Sequence, residues 1–256
     1  MKKRHKLVVA NWKMNPQTLE EAKKVYGAIK KKVTQYKNVD VWMCVPYIYM
    51  SELKKVDRKK ILPLGAQNVY LETAGAFTGE IGPVMLREIG VTVSIIGHSE
   101  RRTLGESDND INKKITLSLK EGLRVVVCIG EKERDVEGEY LAFIKEQLKS
   151  ALQGVEKKEL ERVTIAYEPV WAIGKSDTEA MKGKDVHEMA IFIRKALSDL
   201  YSPEDVLNMR ILYGGSVSSL NTADIVGEGH VDGLLVGRQS LFAPGFLEII
   251  SLVNSL

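Results

Sequence analysis

Apolar and polar positions follow two rhythms along this chain. Short runs rich in β-branched residues are apolar almost throughout: KLVVANW (6–12), VDVWMCVP (39–46), ILPLGAQ (61–67), VTVSIIG (91–97), RVVVCIG (124–130), VTIAYEP (163–169), RILYGG (210–215) and VDGLLVG (231–237). That is the pattern of parallel strands covered on both faces, because a strand with one wet face would alternate. Between the runs, apolar residues recur near every 3.6 positions, as in helices that bury one stripe. Leu19, Ala22, Val25, Tyr26, Ile29 and Val33 make one stripe, and Val186, Met189, Ala190, Ile193 and Leu197 another. Eight strand signals, each followed by a helix signal, predict eight βα units. Eight units close a (β/α)8 barrel, whereas an open doubly wound sheet usually stops at about five to seven strands.

No Pro/Gly/Ser-rich linker divides the 256 residues, and that length suits an α/β barrel as one unit. The expected fold is therefore α/β: a single barrel domain over residues 1–256, eight parallel strands inside and helices outside. Composition fits, since 44% hydrophobic and 28% charged residues exclude a disordered or fibrous chain. A net charge of +3 is too small to argue for a nucleic-acid partner. The charge is unevenly spread, however: residues 1–60 hold 16 basic and 5 acidic side chains. This is either a basic arm for nucleic acid or acidic lipid, or a helix face on which Lys23, Lys24, Lys30, Lys31 and Lys32 are solvated. The second reading is the plainer one, because the stretch has neither aromatic platforms nor a recognised binding motif.

Cys44 and Cys128 each lie in an apolar run and are expected to be buried free thiols, with no CxxC for zinc or redox work. The opening MKKRHKLVVANWKMN has too short an apolar stretch for a secretory signal. No run of 18 apolar residues occurs anywhere, so the expected location is the cytoplasm.

Barrel enzymes build their sites from the loops after the C-terminal strand ends. Those ends carry Asn11-Trp12-Lys13, Gln67-Asn68, His98 to Arg102, Glu168-Pro169, Gly214-Gly215-Ser216 and Gly237-Arg238. A Lys, a His and a Glu thus converge on one rim. Pro169 pushes Glu168 into an extended conformation, and a carboxylate at a partly apolar mouth suits abstraction of a weakly acidic proton. Taken alone, it could equally be a helix cap or a solvent-facing Glu. His98 alone could be a structural histidine; because it starts a helix-like stretch, backbone N–H groups would point at its ring and hold it neutral. Lys13 at a strand end must face water or an anion.

The segments YGGS, VGRQS and WAIG offer backbone N–H groups in Gly-containing loops, as phosphate sites do. No GxxxxGK[ST], GxGxxG, GxSxG or HExxH occurs, and no His/Asp/Glu group has metal-ligand spacing. His5, His187 and His230 are expected to be scattered and superficial.

NWKMN (11–15), GHSERR (97–102), AYEPVWAIG (166–174) and YGGS (213–216) resemble the signature segments of the triosephosphate isomerase family. GAQNVY (65–70) and GAFTGE (75–80) are similar to its third loop, and the matches run in order through the whole chain. The resemblance implies a TIM barrel, a place in glycolysis and gluconeogenesis, and interconversion of dihydroxyacetone phosphate and D-glyceraldehyde 3-phosphate through an enediol(ate), with no cofactor or metal. It implies Glu168 as the base that moves the carbon-bound proton. A neutral His98 would polarise the carbonyl and shuttle protons between oxygens, and Lys13 would stabilise negative charge. Asn11 would orient the substrate oxygens and Lys13, Ser99 would hold Glu168 in the open state, and Glu100 would buttress the site. Phosphate would rest on backbone N–H groups of Gly174, Ser216, Gly237 and Arg238, under a lid from Pro169 to Thr178. Cys128 would only pack. The partners implied are a triose phosphate and a second copy of the chain, docked through loop 67–80, with no nucleic acid and no membrane.

The chain departs from the family's usual pattern in three places. After AIG it reads Lys175-Ser176-Asp177-Thr178-Glu179, where the family commonly has a Thr-Gly or Ser-Gly pair and then Lys-Thr-Ala. Arg238 stands where a second Gly is usual, and Ala10 where Gly is frequent. Two rival readings fit the chain less well than the isomerase. A Schiff-base aldolase needs a desolvated Lys nucleophile, but the sixth strand ends in Glu. A non-catalytic binding protein using the basic first 60 residues would have no need of Lys13, His98 and Glu168 together.

Overall fold

Eight strands close into one barrel in chain order: β1 (Lys6–Asn11), β2 (Val39–Cys44), β3 (Leu64–Ala66), β4 (Val93–Ile96), β5 (Arg124–Ile129), β6 (Val163–Tyr167), β7 (Arg210–Tyr213) and β8 (Gly233–Val236). Every neighbouring pair is parallel, and β8 returns to pair with β1. The computed structural model describes residues 4–175 and 179–256. Outside the strands run α1 (Leu19–Val33), α2 (Tyr47–Val56), α3 (Pro83–Glu88), α4 (Ser99–Thr103), α5 (Asp108–Lys120), α6 (Glu139–Ala151), α7 (Gly183–Leu200), α8 (Pro203–Val206) and α9 (Ala243–Ser255). The expected (β/α)8 architecture is the one observed.

The strand runs are apolar throughout because the barrel buries both of their faces. Successive side chains of a strand point to opposite sides. Leu7 and Val9 of β1 accordingly join an inner cluster with Val93, Ile95, Val126 and Leu235, while Val8 and Ala10 pack outward against the helices. The helical stripes do the complementary job. Ala22, Tyr26, Ile29 and Val33 of α1 are buried, and so are all five residues of the stripe read on α7. Lys24, Lys31 and Lys32 sit on the exposed face of α1, while Lys23 reaches Glu52 (2.8 Å) and Lys30 the carbonyl of Val56 (2.7 Å).

Three expectations need correction. The seven-residue run expected at the third strand yields a ladder of only Leu64–Ala66, because Pro63 has no N–H to donate and Gln67 turns away into the rim. The unit after β7 has no full helix but a five-residue π-helical segment, Asp224–Glu228, whose Asp224 carboxylate accepts the N–H of Gly183 (2.8 Å) at the start of α7. His187 and His230 are not scattered: their rings meet edge to face at 4.7 Å, and Nδ1 of His187 is buried. Cys44 and Cys128 are buried and free. Among the described residues no helix is long and apolar enough to cross a membrane, and no group of three potential metal ligands forms.

Candidate active site

The C-terminal strand ends surround a cavity of about 730 Å³. Asn11, Lys13, His98, Glu168, Gly174, Ser216, Gly237 and Arg238 all border it. Ser99 does not; it lines a smaller neighbouring cavity of about 190 Å³ that shares Glu168 as a wall. Glu100 lines neither and acts from outside.

Glu168 leaves the end of β6 with its backbone N–H bonded to the Ile129 carbonyl (2.7 Å), which extends the β5–β6 ladder by one residue. Two glycines make room for it. A Cβ at Gly130 would overlap the carbonyl oxygen of Glu168, and one at Gly214 would lie 2.8 Å from its Cγ. The carboxylate is 2% exposed. Its Oε1 faces Nε2 of His98 at 3.2 Å and its Oε2 accepts the backbone N–H of Ser99 at 3.3 Å. Ser99 therefore meets Glu168 through its amide. Burial, and then the charge of nearby Glu168, push the Cys128 thiol well above the ordinary range, so it stays protonated.

His98 caps the short helix α4, and the N–H of Glu100 donates to its Nδ1 (3.1 Å). A ring nitrogen that accepts carries no proton, so the imidazole proton is on Nε2, the atom that faces Glu168. The expected donor at the start of the helix-like stretch is thus the Glu100 amide. Glu100 also binds Lys13 Nζ through Oε1 (2.6 Å).

Lys13 takes φ of 54°, sparsely populated for a side-chain-bearing residue. The conformation is held by Asn11, whose Oδ1 accepts the Lys13 N–H (3.1 Å), and by Gln67, whose Nε2 donates to the Lys13 carbonyl (2.9 Å) and to Asn11 (3.3 Å).

In the loops after β7 and β8, the N–H groups of Gly215, Ser216, Gly237 and Arg238 donate to no backbone carbonyl among the described turns and loops. The Ser216 hydroxyl donates to the Lys175 carbonyl (3.0 Å), linking YGGS to the segment expected to form the lid. Ser176, Asp177 and Thr178 of that segment lie outside the described residues.

Two residues escaped the sequence reading as parts of the site. Gln67 was noted at a strand end, but its tie to Asn11 and Lys13 depends on loops from β1 and β3 meeting over the rim. Glu131 follows β5 and is 1% exposed; it accepts from Tyr167 Oη (2.8 Å), Trp171 Nε1 (2.9 Å) and Arg134 Nε (3.0 Å), tying β6 and the Trp171 turn to the end of β5. The signal for it was the strand-end rule itself, applied to Gly130-Glu131.

Comparison with known proteins bears on this geometry. A family model described as triosephosphate isomerase matches residues 6–253. The chain is 40% identical over 250 residues to a triosephosphate isomerase of Thermoanaerobacter sp., covering 97% of this chain and 99% of that protein. It is 39% identical to one from Dictyoglomus turgidum, over 96% of this chain and 99% of that protein. It is 37% identical to one from Lactiplantibacillus plantarum, over 97% and 98%.

Proposed function

The chain belongs to the triosephosphate isomerase family and is an isomerase of triose phosphates, and from that premise we propose how its residues carry the reaction. The observation that carries the proposal is the buried Glu168 carboxylate 3.2 Å from Nε2 of His98, at a cavity shared with backbone N–H groups that have no carbonyl partner among the described residues. Glu168 takes the proton from C1 of dihydroxyacetone phosphate. The C–H electron pair becomes the C1–C2 double bond, and the carbonyl pair moves onto O2. His98 donates from Nε2 to the developing oxyanion and exchanges protons between O2 and O1, and Glu168 returns its proton to C2 to give glyceraldehyde 3-phosphate. A base must lie within hydrogen-bond reach of the proton it moves, and a substrate entering between Glu168 and His98 would meet both.

Lys13 and Asn11 bind the substrate oxygens, Lys13 offsetting the enediolate charge. Glu100 holds Lys13, and the Ser99 amide holds Glu168 in the ligand-free state. The N–H groups of Gly174, Ser216, Gly237 and Arg238 hold the phosphate, with Pro169 to Thr178 closing over it. A coupled assay with glyceraldehyde 3-phosphate run in deuterated water tests the scheme. Deuterium at C1 of dihydroxyacetone phosphate is the expected result. Turnover without label would remove the solvent-exchanging base, and inactivation by borohydride with substrate would favour a Schiff-base enzyme.

The working unit in this proposal is a dimer acting in glycolysis in the cytoplasm, with no nucleic-acid partner. Loop 67–80 supports it: Phe77 is 40% exposed and stacks on Tyr70 with ring centroids 4.9 Å apart, and a loop this long is usually functional or part of an interface. Docked beside Asn11 and His98 of a second copy, with Thr78 closest, it would cover that apolar surface. Sedimentation showing a fully active monomer would overturn the dimer.

A further inference from the structure

The cations around the cavity are not in equivalent states. Lys13 lies 2.6 Å from Glu100 and Lys175 lies 3.4 Å from Glu179, so a carboxylate offsets each charge. Arg238 borders the same cavity and is exposed. Among the described residues its guanidinium has no ion pair and no hydrogen bond. The acid among the described lining residues, Glu168, is engaged with His98 and Ser99. Among the described residues, the positive charge at this cavity that no carboxylate offsets is therefore that of Arg238, beside Gly237 in the lining that Ser216 also joins.

An exposed guanidinium without a partner among the described residues, carried by a residue that borders the cavity, is available to an anion. It presents its donors as a planar fork, which matches two oxygens of a phosphate. Resting on the triose-phosphate reading above, we propose that the Arg238 side chain is a direct ligand for the substrate's phosphate. The subsite then holds the dianion by a fixed charge as well as by backbone N–H groups, and Arg238 sets the preference for phosphorylated over unphosphorylated trioses. A fixed, partly exposed charge also makes anion binding fall with ionic strength, because salt screens it.

The test compares the full-length protein with Arg238→Gly and Arg238→Lys. Inorganic phosphate is titrated by calorimetry at several salt concentrations, and kcat/KM is measured for glyceraldehyde 3-phosphate and for glyceraldehyde. Arg238→Gly should weaken phosphate binding about tenfold, flatten its salt dependence, and lower the ratio of the two kcat/KM values by a similar factor. Arg238→Lys keeps the charge but loses the fork, and should retain the salt dependence while recovering only part of the affinity. The inference is overturned if Arg238→Gly binds phosphate within twofold of the parent with the same salt slope, or if both substrates suffer equally. Calorimetry needs no turnover. A parent protein that binds phosphate through Arg238 yet isomerises nothing would sink the isomerase reading alone, and normal isomerisation with an indifferent Arg238 would sink only this inference.

Discussion

The two ends of the barrel differ in how completely their charges are paired, although the C-terminal end also holds pairs such as Lys13–Glu100. At the N-terminal strand ends, opposite charges close on one another. Arg210 meets Asp40 at 2.6 Å, Arg4 and Arg194 meet Asp232 at 3.2 and 3.1 Å, and Asp232 also accepts the N–H of Ile211 at 2.9 Å. At the C-terminal ends, key groups stay uncommitted to an opposite charge: Glu168 has no lysine or arginine against its carboxylate, and Arg238 has no carboxylate among the described residues. Parallel strands all point one way, so one rim collects every N-terminal end and the other every C-terminal end. One rim can then hold charge pairs, while the other mixes such pairs with groups that have no opposite charge against them among the described residues. The comparison teaches that satisfaction, more than composition, distinguishes the two rims.

If that division is real, substitutions at the two ends should separate activity from stability. The largest effect is expected from Lys13→Met, which keeps the stem and removes the charge. Loss of one preorganised stabilising group typically costs about 10²–10³-fold, and steady-state kinetics should show kcat/KM near the lower limit of that range or beyond it. Unchanged kcat and KM would make Lys13 no more than the ion-pair partner of Glu100. Glu168→Asp should follow, lowering kcat at least a hundredfold at an unchanged melting temperature, because a displacement of roughly 1 Å at the reacting group costs about 10²-fold. Near-normal turnover would remove Glu168 from the role of base.

Asp232→Ala should do the reverse. It strips Arg4, Arg194 and the Ile211 N–H of their shared acceptor, at about 1–3 kcal/mol. Calorimetry should then record a melting temperature several degrees lower, with kcat/KM within twofold at 25 °C. A comparable loss of activity would mean that the two rims are coupled.

The smallest expected effect is a pH slope. Tyr26 is fully buried, and burial together with neighbouring Asp57 raises its pKa far above the ordinary value. The native state keeps this proton while the unfolded chain releases it above about pH 10. The contribution is thus complete below pH 10 and is lost as pH rises, by about 1.4 kcal/mol per unit. Urea unfolding of Tyr26→Phe between pH 9 and 11 should show a correspondingly flatter decline than the parent.

Much of this site was readable before any coordinates. Lys13, His98 and Glu168 stand out because each is a titratable residue at the end of an apolar run, where a barrel puts its chemistry. The resemblance then attaches a role to each. The seventh unit's π segment escaped because glycines 227 and 229 blur the helical period, and the third strand was overdrawn because apolar residues continue past the ladder through Pro63. Glu131 went unremarked because a lone Glu after a strand resembles any solvated residue; its burial beneath Tyr167 and Trp171 requires β5, β6 and the lid segment to be packed together.

By itself the sequence determined the number and order of the strands, the faces of the helices and the membership of the rim, since these follow from local periodicity and from which residue ends each run. Only the tertiary structure decided which groups are satisfied. Whether Nδ1 of His98 meets an amide, whether Lys13 is offset by Glu100, and whether Arg238 is left open are matters of distances between atoms from different βα units. Electrostatic and hydrogen-bond energies depend on those distances and on burial, and neither is written in the order of residues along the chain.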